Sequence, residues 1–237
     1  MISVCMATYN GQRSIRKQLQ SIIEQLSADD EIIIVDDSST DETVAIIEAM
    51  LAEHPVAHQI IVNDNNRGPI GSFEVALQKT NGDYIFLSDQ DDIWFDNKVS
   101  TVMQAFKAGA QLVVHDGTVV DGEGNVIDTS WNHYNHNQTT QSIMSNIVKN
   151  GYTGAMMAFT KQVKEAALPF PKSIVMHDQW LFQVSKLRKL KIMSIDEPLM
   201  YYVRHGNNVT GMRKRKKSEQ LIDRLNMVKC LMYVNRK

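Results

Sequence analysis

The chain has 237 residues, of which 43% are hydrophobic and 22% charged, with a formal net charge of −2. This composition is typical of a soluble globular protein with a sizeable core. There is no run of eighteen apolar residues and there are only two cysteines, Cys5 and Cys230, at opposite ends of the chain. These features exclude a membrane-spanning helix and a disulfide framework.

The charge is unevenly distributed along the chain. Residues 213–237 contain nine Lys or Arg against Glu219 and Asp223, which gives +7, so the rest of the chain carries −2 − 7 = −9. The N-terminus has no basic, apolar signal pattern, and two distant thiols are typical of a reducing compartment. We therefore expect a cytoplasmic protein with a mildly acidic body and a basic tail.

The first part of the chain alternates predicted strands and helices. Apolar runs predict four strands, at residues 2–6, 31–35, 59–62 and 84–87. Apolar residues at helical spacing predict a helix over residues 15–26, another of about twelve residues after the cap-rich run 36–43, and a third over 72–79 behind a loop at 63–71. This alternation predicts an α/β fold with βαβ units and a mostly parallel central sheet flanked by helices.

Polar runs follow three of these strands directly, at residues 7–10, 36–38 and 89–91. In open parallel sheets, ligands bind outside the carboxyl ends of the strands. We therefore expect the three runs to converge on one edge of the sheet and to form a ligand site there.

The second part is less regular. We predict strands at 112–115, 152–159 and 191–195, a hairpin over 119–127, a loop over 129–140, and helices over 142–149 and 177–190. No repeat or clear linker is present, so the chain is interpreted as one domain over residues 1–212, with a nucleotide-type half (1–100) and a variable half (101–212), followed by a basic C-terminal helical segment over 213–237.

The run Asp89-Gln90-Asp91-Asp92 is the most informative motif of the chain. Packing like charges together is unfavourable unless a cation or strong donors hold them. Mg²⁺ takes one or two carboxylates together with phosphate oxygens, so a metal–diphosphate site is one interpretation. The other is an acidic helix start, in which Asp91 or Asp92 caps the following helix.

Four segments of the chain together resemble a known family. Residues 4–10, the run 35–41, Asn66-Arg67-Gly68 and the run 88–94 are similar, in order and spacing, to inverting glycosyltransferases of family 2. The version Asp-Gln-Asp-Asp-Ile-Trp resembles bacterial rhamnosyltransferase-like members that build surface polysaccharides. The resemblance is strongest over residues 1–100. It implies a GT-A fold with a nucleotide-sugar-binding half over residues 1–100 and an acceptor-side half over residues 101–212.

The resemblance implies a donor site at the predicted edge. Asp36 would accept the N3–H of uracil or thymine, or else cap the next helix together with its neighbours. Other nucleotide-binding positions are implied at Thr8, Tyr9, Asn10, Asp37, Arg67, Asp89 and Arg204. The metal, Mn²⁺ or Mg²⁺, would be held by Asp91 and Asp89, with Asp92 as an alternative ligand and His205 as a third.

Inverting transfer needs a base that deprotonates the acceptor hydroxyl. The resemblance implies Asp178 for this role, although the same residue could cap a helix. Many relatives have Glu before this aspartate, whereas this chain has His177. Trp94 and Lys98 are interpreted as structural: a packed aromatic, and a surface or phosphate-adjacent cation.

The C-terminal segment combines the basic run 213–217 with apolar residues at helical spacing. Such a helix can lie on an anionic membrane surface, which would give peripheral contact at the inner face of the cell membrane. The alternative is a helix docked on the body with a solvated charged face. Nucleic acid is not an expected partner, because no nucleic-acid motif accompanies the basic run.

The sequence thus predicts a metal-dependent inverting glycosyltransferase that uses a UDP- or dTDP-sugar, with dTDP-rhamnose as the leading candidate. The acceptor would be a glycan or a lipid-linked saccharide. Two rival functions are a sugar nucleotidyltransferase, for which the chain lacks a Gly-rich, Lys-bearing phosphate loop, and a non-catalytic nucleotide-sugar-binding module.

Overall fold

A computed structural model describes residues 1–204 and 216–234. The predicted alternation is present in the first part: β1 (Ile2–Thr8), α1 (Ile15–Ile23), β2 (Glu31–Asp36), α2 (Thr43–Ala52), β3 (Ala57–Val62), α3 (Gly68–Lys79) and β4 (Tyr84–Asp89). No helix among these described residues is long and apolar enough to cross a membrane.

The second part completes the same sheet. Its elements are β5 (Ile93–Trp94), α4 (Lys98–Lys107), β6 (Leu112–Asp121), β7 (Val126–Asp128), α5 (Trp131–Tyr134), α6 (Ile143–Val148), β8 (Met157–Thr160), α7 (Lys161–Ala167), α8 (His177–Leu187), β9 (Ile192–Arg204) and α9 (Lys217–Val234). A 3₁₀ turn at Gly154–Met156 precedes β8.

The sheet has the order β3-β2-β1-β4-β8-β6-β9-β5, with β7 paired to β6. The first four strands are parallel, as predicted, and β8 joins them antiparallel to both β4 and β6. The β6–β7 hairpin is also confirmed. The architecture is therefore a mixed α/β sheet flanked by helices, with β1 to β4 as a continuous parallel block.

Burial explains why β1, β2 and β4 are almost continuously apolar, whereas β3 at the edge of the sheet is largely exposed. Every residue of β2 is buried, because helices pack on both faces of the sheet. Two apolar clusters result, one on each face, and α9 contributes Met227, Cys230, Leu231 and Val234 to one of them. Both cysteines are free and buried.

Several element boundaries differ from the sequence prediction. Helix α3 begins at Gly68 rather than at residue 72, because Gly68 takes a positive φ of 72° and Pro69 occupies the first turn. The predicted strand over 152–159 is a 3₁₀ turn followed by β8, and the predicted loop over 129–140 contains the short helix α5. Helices α4 and α7 and strand β5 were not predicted. Strand β9 runs for 13 residues instead of ending at residue 195.

Candidate active site

The three polar runs do converge on the carboxyl edge of the parallel strands. In the sheet register, Thr8 of β1 lies beside Asp36 of β2, and Ala7 lies beside Asp89 of β4. The ends of three neighbouring strands therefore bring together the β1, β2 and β4 loops. This is the arrangement expected for a ligand site in an open α/β sheet.

Asp36 links the first two loops from within the core. Its carboxylate accepts hydrogen bonds from Thr8 Oγ1 (2.7 Å), Ser39 N (2.7 Å) and Ser39 Oγ (2.6 Å). Asp36 is 0% exposed and Thr8 is 2% exposed. In this conformation the Asp36 carboxylate orders the β1 and β2 loops and does not face the solvent.

Asp37 connects the β2 loop to the start of α3. Its carboxylate accepts hydrogen bonds from Asn63 Nδ2 (2.8 Å), Arg67 N (2.8 Å) and Gly68 N (2.7 Å). Arg67 itself is exposed beside this edge. The carboxylate satisfies backbone donors at the N-terminus of α3, which a helix cannot satisfy internally.

Gln90 is a residue that the sequence reasoning did not single out. Its side chain pairs with the backbone of Tyr9 in both directions: Tyr9 N donates to Oε1 (2.8 Å), and Nε2 donates to Tyr9 O (2.9 Å). A Cβ on Gly11 would lie 2.3 Å from Gln90 Oε1, so Gly11 leaves room for this pairing. The Tyr9 side chain stays 47% exposed at the mouth of the site. The only sequence signal was the position of Gln90 within the acidic run.

The β1 and β2 loops both contain a residue of unusual backbone conformation. Asn10 has φ 49° and Ser38 has φ 68°, a region that non-glycine residues seldom adopt. Asn10 N donates to Ser39 Oγ (2.8 Å), and Thr40 N donates to Asn10 Oδ1 (2.9 Å). These cross-links hold the two strained loops against each other.

The acidic run surrounds the end of β4 with three carboxylates. Burial, followed by the charges of Asp91 and Asp178, raises the pKa of Asp89 to about 7. Asp92 is 2% exposed, and burial together with the charges of Asp91 and Asp89 raises its pKa well above the usual range. Asp92 Oδ1 accepts a hydrogen bond from Val203 N (3.2 Å), whereas Oδ2 has no hydrogen-bond partner within the described structure. The cluster thus contains negative charge that the protein only partly compensates.

Lys98 supplies part of that compensation. Of the two positions predicted for it, at the surface or next to a phosphate, the surface position is wrong. It is 1% exposed, with Nζ donating to Ala155 O (2.8 Å) and lying 4.1 Å from the centre of the Trp94 ring. Burial lowers its pKa to about 7, against the opposing influence of Asp92 and Asp89. Trp94, 2% exposed, is the packed aromatic that was expected.

Asp178 faces the acidic run from the first turn of α8. Its Oδ1 accepts hydrogen bonds from Asn150 Nδ2 (3.0 Å) and from Gln179 N. Burial raises its pKa to about 6, while the hydrogen bonds act in the opposite direction. Its charge in turn contributes to the raised pKa of Asp89, so the tertiary structure brings together two carboxylates 89 positions apart in the chain.

His177, directly before Asp178 in the chain, is buried against α3. Its ring lies 4.3 Å from the ring of Phe73 between centroids, and burial lowers its pKa to about 3. A Cβ on Gly154 would lie 2.5 Å from Nε2, so the glycine makes room for the ring. His177 is therefore neutral at physiological pH.

Arg204, at the end of β9, lies in the region of the acidic run. Its neighbour Val203 donates to Asp92, and its guanidinium lies 5.9 Å from the centre of the Tyr134 ring. His205, the expected third metal ligand, lies outside the described residues.

The carboxylates present fit a divalent cation that is shared with a bound diphosphate. Three features favour an added cation. The site offers hard oxygen ligands, the carboxylates of Asp89, Asp91 and Asp92 repel one another, and Oδ2 of Asp92 has no hydrogen-bond partner within the described structure. Across residues 1–204 and 216–234, no group of three or more ligating side chains is placed to hold a metal by itself. Mg²⁺ and Mn²⁺ need few protein ligands when phosphate oxygens complete the coordination shell.

Comparison with known proteins agrees with this geometry. The family model described as Glycosyl transferase family 2 matches residues 3–167. The dTDP-rhamnosyl transferase RfbG of Shigella flexneri is 30% identical over 223 residues, which cover 87% of this chain and 73% of that protein.

Two solved structures share the fold. S. aureus TarS 1–349 in complex with UDP-GlcNAc has a TM-score of 0.72 at 18% identity, covering 96% of this chain and 65% of that one. Mannosyltransferase PcManGT from Pyrobaculum calidifontis, in complex with GDP-Man and Mn²⁺, has a TM-score of 0.62 at 18% identity, covering 100% of this chain and 64% of that one. The GT-A fold implied by the resemblance is confirmed.

Proposed function

Because the chain belongs to glycosyltransferase family 2, we propose that it transfers a sugar from a UDP- or dTDP-sugar, with inversion, to a glycan or lipid-linked saccharide. The product would be part of a cell-surface polysaccharide. The 30% identity to a dTDP-rhamnosyl transferase makes dTDP-rhamnose the first donor to test.

The observation that carries the proposal is the pairing of Asp178 with the acidic run. A general base works best when its pKa lies near the working pH, and burial brings the pKa of Asp178 to about 6. At pH 7 most of this carboxylate is ionised and can accept the proton of an acceptor hydroxyl. Hydrogen bonds from Asn150 and Gln179 to Oδ1 hold the carboxylate in place for that purpose.

The donor would bind at the carboxyl edge of β1, β2 and β4. Tyr9 offers an exposed ring against which a base can stack, and Thr8, Asn10 and Asp37 shape the surrounding loops. Because the Asp36 carboxylate is engaged by Thr8 and Ser39, we assign it the positioning of these loops, and direct contact with the base would require them to open.

The diphosphate would lie over the acidic run, with Asp91 and Asp89 as the carboxylates that share a Mn²⁺ or Mg²⁺ ion with it. When bound, the metal offsets the negative charge that develops on the leaving nucleoside diphosphate. Asp92 holds the end of β9 through Val203, which keeps Arg204 beside the site. Arg204 and Arg67 are the proposed cationic contacts to the phosphates.

The decisive experiment is a panel of UDP-, dTDP- and GDP-sugars with Mn²⁺ or Mg²⁺, read by thermal shift and by slow donor hydrolysis. The proposal predicts stabilisation and hydrolysis with a UDP- or dTDP-sugar only when metal is present. Indifference to every nucleotide sugar and metal would contradict it, and pyrophosphate release from a nucleoside triphosphate would point to a nucleotidyltransferase instead.

Asp178→Asn separates catalysis from binding. The variant should lose turnover by at least about a hundredfold, as expected for removal of a general base, and retain donor binding. Asp29→Asn, an exposed aspartate ahead of β2 and so at the opposite edge of the sheet, is the matched control and should behave as wild type. Unchanged activity in Asp178→Asn would favour a binding module or a different base.

A further inference from the structure

Helix α9 has two apolar faces, and only one of them is packed. Met227, Cys230, Leu231 and Val234 are buried against the body of the protein. A second set, Leu221, Leu225, Val228 and Met232, follows the same helical spacing but is 57%, 52%, 36% and 55% exposed, and Ile222 beside it is 56% exposed. At about 3.6 residues per turn, this exposed stripe lies roughly 130° around the helix from the packed face.

The neighbouring helix α6 extends the same surface. Met144 and Val148, one turn apart, are 66% and 57% exposed. Arg224 Nη2 donates to Val148 O (2.9 Å), so α6 and α9 are in direct contact. We call the combined surface, formed by the exposed stripe of α9 with Ile222, Met144 and Val148, the α6–α9 face. Contiguous exposed apolar patches of this kind mark binding sites.

Charge around the α6–α9 face favours one kind of partner. Lys217 and Lys229 are exposed and, by helical geometry, flank the stripe, and the basic run 213–217 leads directly into the helix. Glu219 and Asp223, the two acidic residues of the segment, are half-buried and fall on the other side of the helix. The exposed side is therefore both apolar and cationic. We propose that the α6–α9 face docks on an anionic lipid bilayer, with α9 lying in the plane of the interface.

A second copy of the chain fits this face less well than a bilayer does. Two such faces would bring Lys217 and Lys229 of one copy towards those of the other, and like charges oppose that contact. Negatively charged headgroups match the lysines, while the acyl region accepts the leucine and methionine side chains.

The face adjoins the proposed acceptor side of the site. Helix α6 ends at Val148, and Asn150, two residues later, donates to Asp178. Docking through the α6–α9 face would therefore hold the base close to the bilayer. This consequence rests on the proposed function, in which a lipid-linked saccharide is one of the two acceptor classes. The docking proposal itself does not depend on the proposed function.

The test is flotation of the full 237-residue chain with vesicles of equal parts phosphatidylglycerol and phosphatidylcholine, compared with pure phosphatidylcholine, in the absence of any donor or acceptor. We expect binding to the anionic vesicles only. Lys217→Gln and Lys229→Gln should each weaken it by about fivefold. The double variant Leu221→Ser/Leu225→Ser should weaken it by about tenfold or more.

The matched control is Val126→Ser/Ile127→Ser, which removes two apolar side chains that are 58% and 48% exposed on β7. It should bind vesicles as wild type. The substituted α9 residues, Lys217, Leu221, Leu225 and Lys229, are all exposed. Circular dichroism of each variant should therefore match wild type, and transfer to a soluble saccharide should be unchanged. Failure of transfer alone would contradict the proposed function and leave the docking result intact.

Three results would overturn the docking proposal: absence of binding to anionic vesicles, equal binding to neutral vesicles without dependence on the lysines, or retention of binding by Leu221→Ser/Leu225→Ser. A lipid-free dimer in sedimentation equilibrium that this double variant dissociates would also overturn it, since the face would then join two copies.

Discussion

Asp178→Asn is expected to make the metal-free protein more stable at the same time as it abolishes turnover. The folded protein raises the pKa of Asp178 from 3.8 to about 6. A carboxyl whose pKa is higher in the folded state is harder to ionise there, so its charge opposes folding. Stability is therefore lost as the pH rises from about 4 to about 6, and the loss is complete above pH 6.

The magnitude follows from the size of the shift. A change of about two units corresponds to about 3 kcal/mol, an upper figure because the site can hydrate or relax. Asn keeps an oxygen that can accept the hydrogen bonds of Asn150 and Gln179, but it carries no charge. We expect a gain of about 1–3 kcal/mol at pH 7.5, roughly half of that at pH 5, and none below pH 4.

Urea unfolding followed by circular dichroism, in EDTA at pH 7.5 and pH 5, measures this gain. In a thermal scan of the same proteins, a gain of this size would raise the melting temperature by a few degrees for a chain of this length. Asp29→Asn, as the exposed control, should change stability by less than about 0.5 kcal/mol at either pH. If Asp178→Asn is no more stable than wild type at pH 7.5, the cost of burial assigned to this carboxylate is wrong.

Three further predictions concern the surrounding site. Turnover should fall about tenfold per pH unit below pH 6, because protonated Asp178 cannot act as a base; a kcat profile without this acidic limb would argue against it. Lys98→Met should tighten Mn²⁺ binding by roughly tenfold in calorimetric titration, because a cation next to Asp89 and Asp92 is removed; weaker binding would mean that Lys98 mainly orders the cluster. Asp37→Ala should cost about 2–4 kcal/mol in urea unfolding, because three donors around α3 lose their acceptor, whereas a loss below about 1 kcal/mol would show that the contacts are dispensable.

The elements that the sequence predicted well are those whose environment repeats along the chain. Strands buried on both faces need continuous apolar runs, and the helices between them need a 3.6-residue period, so β1, β2 and β4 could be located from residue type alone. Strand β3 is largely exposed, and only its apolar end at residues 60–62 indicated it. The full length of strand β9 could not be predicted, because Asp196-Glu197-Pro198 interrupts its apolar pattern. Its register against β6 also shifts, at His115 and Asp116. Helices α4 and α7 were missed among less regular segments.

For the site, residue type and order along the chain were enough to predict which loops meet. The polar runs after β1, β2 and β4 lie at one edge because the carboxyl ends of parallel strands lie together, and this needed no tertiary information. Sequence alone therefore determined the family, the edge of the sheet and the carboxylates gathered there.

Only the tertiary structure decided how each side chain is used. Asp36 and Asp37 are neighbours in the sequence, yet Asp36 accepts from Thr8 and Ser39, whereas Asp37 accepts from the start of α3. Lys98 was interpreted from the sequence as a surface or phosphate-adjacent cation, and the fold encloses it beside the acidic run. Contact partners, burial and electrostatic coupling depend on residues distant in the chain, as between Asp178 and Asp89, and local sequence patterns carry no information about them.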